Sequence, residues 1–110
     1  FKSDYPQRLV LEVGADHPGD ILSISKWLKT DVVVITRIGE VPVHVEAFSS
    51  IDELVKEKAY LIKSLKKDGH LILSADDKKV REMPKEPRLF WKATPPRPRT
   101  WCIRHPLQAA

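Results

Sequence analysis

Residues 8–36, RLVLEVGADHPGDILSISKWLKTDVVVIT, decide how this chain folds. The first seven form a near-continuous apolar run ending on Gly14, the pattern of a strand covered on both faces in a parallel sheet. Asp16 or His17 then stands where a helix cap is wanted, and Pro18 suits a first turn. Ile21, Ile24 and Leu28 recur on one face with Trp27 beside them, which predicts a helix ending near Thr30. Residues 31–36, DVVVIT, are β-branched and apolar and predict a second buried strand. A β-α-β order with a crossover of this length joins parallel strands, so the fold class is α/β with a mostly parallel sheet.

Working outward, residues 37–49 contain Gly39 and Pro42 and keep no hydrophobic period, which places a loop at the carboxyl end of the second strand. That edge of an open parallel sheet is where ligands bind. Ser50 and Glu53 fit an S-x-x-E capping box, Lys66 and Lys67 suit final turns, and Gly69 is a natural stop, so a helix is predicted over 51–67. Residues 70–74, HLILS, predict a third strand, and the turn Ala75-Asp76-Asp77 leads into a short helix around 77–83.

The chain has 110 residues, 42% of them hydrophobic and 31% charged, enough for one modest core. No apolar run approaches the roughly 20 residues of a membrane span, and FKSDYPQRLV lacks signal-peptide architecture, so the chain is read as soluble and cytoplasmic. Its single cysteine, Cys102, has no cysteine neighbour for a disulfide or a metal site. The net charge of +4 invites a nucleic-acid reading, but its distribution argues against one. Residues 84–110 hold six basic side chains (Lys85, Arg88, Lys92, Arg97, Arg99 and Arg104) against Glu86, a net +5, which leaves −1 for residues 1–83. Six of the nine prolines also fall in 84–110. The division is therefore a folded unit over 1–83 and a Pro/Arg-rich tail over 84–110, read as unstructured or as an out-of-frame continuation.

Three residues stand out chemically. Glu12 is an ionisable group at the end of an apolar run, where a divalent cation is one way to satisfy a carboxylate and solvent or a lysine is the blander one. Lys58 lies seven residues from both Ile51 and Leu65 and four from both Leu54 and Ile62, on the inward stripe of the predicted helix. Such a lysine either snorkels outward or serves as a functional amine. His44 is a loop histidine near Glu46, a weak signal by itself. Nowhere does G-x-x-x-x-G-K-[ST] occur, and neither a Ser-His-Asp spacing nor a dinucleotide glycine fingerprint is present.

In order, LVLEVGADHPGDI (9–21), VVVITRIGEVPVHVEAFSS (32–50) and EKAYLIKSLKKDGHLILSADD (57–77) resemble the central domain of the Mur ligases. The resemblance covers about residues 8–83 and implies part of a three-layer, P-loop-NTPase-like α/β sandwich. It implies an ATP-dependent amide ligation in which a substrate carboxylate becomes an acyl phosphate and is captured by an amine, with Mg²⁺ offsetting the phosphate charge. By motif match, Glu12 and His44 resemble metal ligands. Lys58 resembles the family's carbamylated lysine, a further metal ligand once carbamylated. Ser74, Asp76 and Asp77 resemble the adenine-side turn, with Ser74 standing where the family carries asparagine.

The implied substrates of the full-length enzyme are a UDP-N-acetylmuramoyl-peptide and D-alanyl-D-alanine, with neither membrane nor specific nucleic acid as partner. Without a phosphate loop, the 110 residues are expected to be an inactive, aggregation-prone fragment. Alternatives are a folylpolyglutamate or cyanophycin synthetase relative and, from a different class, a non-catalytic module that binds through the basic proline-rich tail.

Overall fold

The computed structural model describes residues 6–38, residues 47–83 and the backbone of 99–103. Its elements in chain order are α1 (Asp20–Ser25), β1 (Thr30–Ile35), α2 (Ile51–Ala59), a 3₁₀ turn (Tyr60–Ser64), β2 (Leu65–Ser74), α3 (Lys78–Arg81) and β3 (Arg99–Ile103). The sheet order is β1-β2-β3 and both pairings are parallel. This is the α/β class that the β-branched and apolar runs predict.

β2 is the centre of the sheet. Leu71 and Leu73 have no exposed surface, and their ladder partners Val33 and Ile35 lie on the same face, as the two-residue period of a strand requires. That face packs on Ile21, Leu54, Ala59, Ile62 and Val80, supplied by all three helices and the 3₁₀ turn. The alternate residues of β1, Val32 and Val34, are about half exposed (49% and 53%), so the helices cover only one face there.

Residues 8–14 do not form the strand expected of them. Leu9, Val10 and Leu11 are exposed, at 73%, 95% and 52%. A strand buried on both faces needs a neighbouring edge and a covering layer, and among the described residues the sheet ends at β1 with its outer face open.

The first helix is also shorter than expected. It starts at Asp20 behind Gly19, whose φ of 96° is the left-handed conformation that glycine adopts without strain. Asp16 and His17 do not cap it; instead Asp20 Oδ2 accepts from the His17 N–H at 2.8 Å. At the other end the buried Ser25 hydroxyl donates to the Leu22 carbonyl (2.8 Å), a local bond that competes with helix continuation.

α2 starts where the capping box places it. Ser50 Oγ accepts from the Glu53 N–H at 3.2 Å, while Glu53 Oε2 reaches back to both the N–H and the hydroxyl of Ser49, each at 2.7 Å. The predicted helix to residue 67 does not persist. After Ala59 the chain tightens into the 3₁₀ turn, where the buried Ser64 hydroxyl bonds the Leu61 carbonyl (2.7 Å) and Thr30 Oγ1 (2.9 Å), and β2 then begins at Leu65.

Gly69 is therefore not a helix stop but part of β2. The register passes from Thr30↔Leu65 to Val32↔His70, so β2 has extra residues here and bulges. A Cβ on Gly69 would lie 2.8 Å from Leu65 Cδ2, 3.0 Å from the Lys66 carbonyl oxygen and 3.2 Å from the Asp31 carbonyl oxygen. Asp31 also pairs with Lys66 Nζ across the bulge at 2.8 Å. Within the expected tail, Arg99–Ile103 pairs with His70–Ser74, so this stretch is not unstructured; 84–98 and 104–110 lie outside the described residues.

Two outcomes are expected. Gly69→Ala should lower stability by about 1–3 kcal/mol, the usual cost of overpacking, as a reduced midpoint in urea unfolding. Glu53 is held below the usual carboxylate range, first by the Ser49 hydroxyl and then by the Ser49 N–H. Its stabilisation of α2 is thus present above the unfolded-state pKa and is lost as pH falls through the lowered folded value. An NMR titration of Ser49→Ala should move the Glu53 midpoint upward, toward that of a free glutamate.

Candidate functional site at the carboxyl edge of the sheet

Three segments meet where β1 and β2 end. Arg37 and Ile38 lie just beyond β1, Ser74 ends β2 with Ala75–Asp77 following it, and Lys58 reaches toward the same edge from α2. Lys58 Nζ lies 3.5 Å from the Arg37 carbonyl oxygen, at the outer limit of a hydrogen bond, and its side chain is half-buried. The contact itself is exposed, and it places the amine close to the strand ends.

Asp77 ties the edge together. Its Oδ2 accepts from the Ile38 N–H (2.9 Å) and its Oδ1 from the Val80 N–H (3.0 Å), so one carboxylate links the end of β1 to the start of α3. With both oxygens engaged, this side chain shapes the turn. Ser74 Oγ accepts from the Asp76 N–H at 3.3 Å, and Asp76 is exposed. Arg81 Nη1 donates to the Ala75 carbonyl oxygen at 3.4 Å from the helix that follows.

Glu12 is exposed and makes no hydrogen bond or ion pair among the described residues. His44 falls outside the described residues, so the three expected metal-site residues are not brought together on described geometry. Among the described residues no group of three or more His, Cys, Asp or Glu side chains could hold a metal ion.

Sequence reasoning missed Glu57. It is 4% exposed, and its Oε1 accepts from the backbone N–H of Ile21 (2.7 Å) and of Leu22 (3.1 Å). The carboxylate meets the electropositive first turn of α1, which Gly19 leaves without a side-chain cap. Residues three and four positions beyond Leu54 share its face, so Glu57 and Lys58 read alike in the pattern. No local signal marked it, because Asp16 and His17 stand upstream as apparent caps of the helix that Glu57 caps.

The sequence model of the Mur ligase middle domain matches residues 2–92. This chain belongs to the Mur ligase family through that middle domain. It is similar to the UDP-N-acetylmuramoyl-tripeptide–D-alanyl-D-alanine ligase of Bacillus subtilis strain 168, 37% identical over 68 residues, which are 62% of this chain and 14% of that protein. The enzyme of that name from Mycobacterium tuberculosis H37Rv is 30% identical over 84 residues, 76% of this chain and 16% of the relative. That from Rickettsia prowazekii is 28% identical over 75 residues, 68% of this chain and 16% of the relative. The chain thus spans only about one-sixth of the length of these relatives. No solved structure matches it. None of the described helices is long and apolar enough to cross a membrane.

Asp77→Ala should remove both the α3 cap and the tie to Ile38, at a cost of about 1–3 kcal/mol, as a lowered unfolding midpoint. Asp77→Asn keeps one carbonyl acceptor and should lose less. Equal losses for the two variants would show that the paired acceptor geometry is not what holds the edge.

Proposed function

We propose that this chain is the central portion of an ATP-dependent acid–amino acid ligase of peptidoglycan-precursor synthesis, working in the cytoplasm. In the full-length enzyme the substrates are a UDP-N-acetylmuramoyl-peptide and D-alanyl-D-alanine, as the names of its relatives suggest. The observation that carries the reading is Lys58, whose amine lies at the carboxyl end of β1 inside the family match. That edge is where open parallel sheets receive their ligands.

The donor set suits Mg²⁺ under one condition. Glu12 offers an exposed carboxylate, but the Lys58 amine, beside a carbonyl oxygen, has no anionic oxygen for a cation. Carbamylation of Lys58 supplies that oxygen: Nζ bonds to the carbon of CO₂, a proton leaves, and an anionic ligand replaces the amine. Glu12, His44 and carbamylated Lys58 are the proposed metal ligands. Ser74, Asp76 and Asp77 are the proposed adenine-side residues, and Asp77 would act by holding the turn's shape. When bound, Mg-ATP supplies the phosphoryl group that activates a substrate carboxylate as an acyl phosphate. The 110 residues contain no phosphate loop, so donors outside them would hold the triphosphate.

With ¹³C-bicarbonate the chain should give a carbamate resonance that disappears in Lys58→Arg; a spectrum unchanged by that substitution would remove Lys58 from this role. Calorimetric titration with Mg-ATP should give no saturable binding heat, and a measurable affinity would overturn the need for an outside phosphate loop.

A further inference from the structure

Glu57 has no chemical part in the reading above, yet it is the one charged side chain that is buried among the described residues. The apolar face of α2 is narrow. Leu54 and Ala59 are its buried apolar residues, while Ile51 and Val55 are half-buried. Apolar burial is non-directional and leaves the helix some rotational freedom about its axis. The bonds from Ile21 and Leu22 to Glu57 Oε1 are directional and fix one azimuth of α2. Successive residues of a helix lie about 100° apart, so fixing Glu57 toward α1 also fixes the direction in which Lys58 leaves the helix. That direction brings Nζ to the Arg37 carbonyl oxygen. The α1 end of the contact follows Glu12 by nine residues, so one carboxylate links the segment carrying Glu12 to the helix carrying Lys58.

We propose that Glu57 is a positioning residue, which sets the direction of Lys58 by anchoring α2 to the first turn of α1. The inference deepens the reading of Lys58 as the reactive amine and rests on it.

The test is competitive acetylation of the 110-residue chain with acetic anhydride, read lysine by lysine by mass spectrometry with and without bicarbonate. Wild type is compared with Glu57→Ala and with Glu57→Gln, whose amide oxygen still accepts. In Glu57→Ala, Lys58 should label roughly three- to tenfold faster, the change expected on losing a buried acceptor. Lys78 and Lys79, on α3 and away from the α1–α2 contact, should be unchanged, and Glu57→Gln should label Lys58 near the wild-type rate. Bicarbonate should protect Lys58 in wild type and lose that effect in Glu57→Ala.

An unchanged Lys58 rate, or an equal rise at all three lysines, overturns the positioning role. Equal bicarbonate protection of wild type and Glu57→Ala overturns it too, leaving the carbamate intact. If bicarbonate fails to protect wild type while Glu57→Ala still selectively exposes Lys58, the carbamate falls and the positioning role stands. Should Glu57→Ala not fold by circular dichroism, Glu57→Asp, too short to reach both amides, takes its place under the same criteria.

Discussion

The two-sided pairing of β2 is the constraint on which the rest of this structure depends. His70–Leu73 bond to β1 on one edge and His70–Ser74 to β3 on the other, with Leu71 and Leu73 sealed beneath the helices. A one-residue slip in such a strand would turn both leucines to the opposite face. The bulge at Lys66–Gly69 absorbs the mismatch in length before that register begins, and Gly69 is the residue small enough to pass between Leu65 and the Asp31 carbonyl. Fixing the register fixes where β2 stops, and with it the turn that Asp77 clamps to Ile38.

The carboxyl edge is assembled by main-chain groups as much as by side chains. Asp77 takes N–H donors from two separate segments, Ser74 takes one, and both Lys58 and Arg81 approach carbonyl oxygens. Such an arrangement holds loop backbone in place around the exposed Asp76. Rigid surroundings of this kind matter wherever charge is stabilised, because groups that need not reorganise do so most effectively.

What the sequence made legible followed from local rules. The β-branched run at 31–36, the strand ending at Ser74 and the Ser50 cap each depend on neighbouring residues; the first and last appear within a residue of their expected places, while β2 ends where expected but starts five residues early, at Leu65. The misses depend on distant partners. Residues 8–14 have strand composition but no adjoining edge among the described residues, and α2 yields to a 3₁₀ turn in which Ser64 bonds Thr30 across 34 positions. Lys58 was visible because a cation on an apolar stripe is anomalous. Glu57, equally anomalous in principle, was hidden because its explanation lies 36 residues earlier in an uncapped helix start. β3 lies beyond the end of the family match and within a stretch rich in proline and arginine, so no local period announced it.

The distant cap also bears on the order in which structure can appear. A six-residue helix is far below the length at which helices hold themselves together in water, and α1 has no side-chain cap of its own. Its first turn therefore lacks its carboxylate partner until α2 has wound far enough to present Glu57, although α1 comes first along the chain. During synthesis the earlier helix must wait for the later one. Native contacts of α1 thus accrue only after the loop between them has closed, and the entropy of that closure is set against packing gained in one step by both helices.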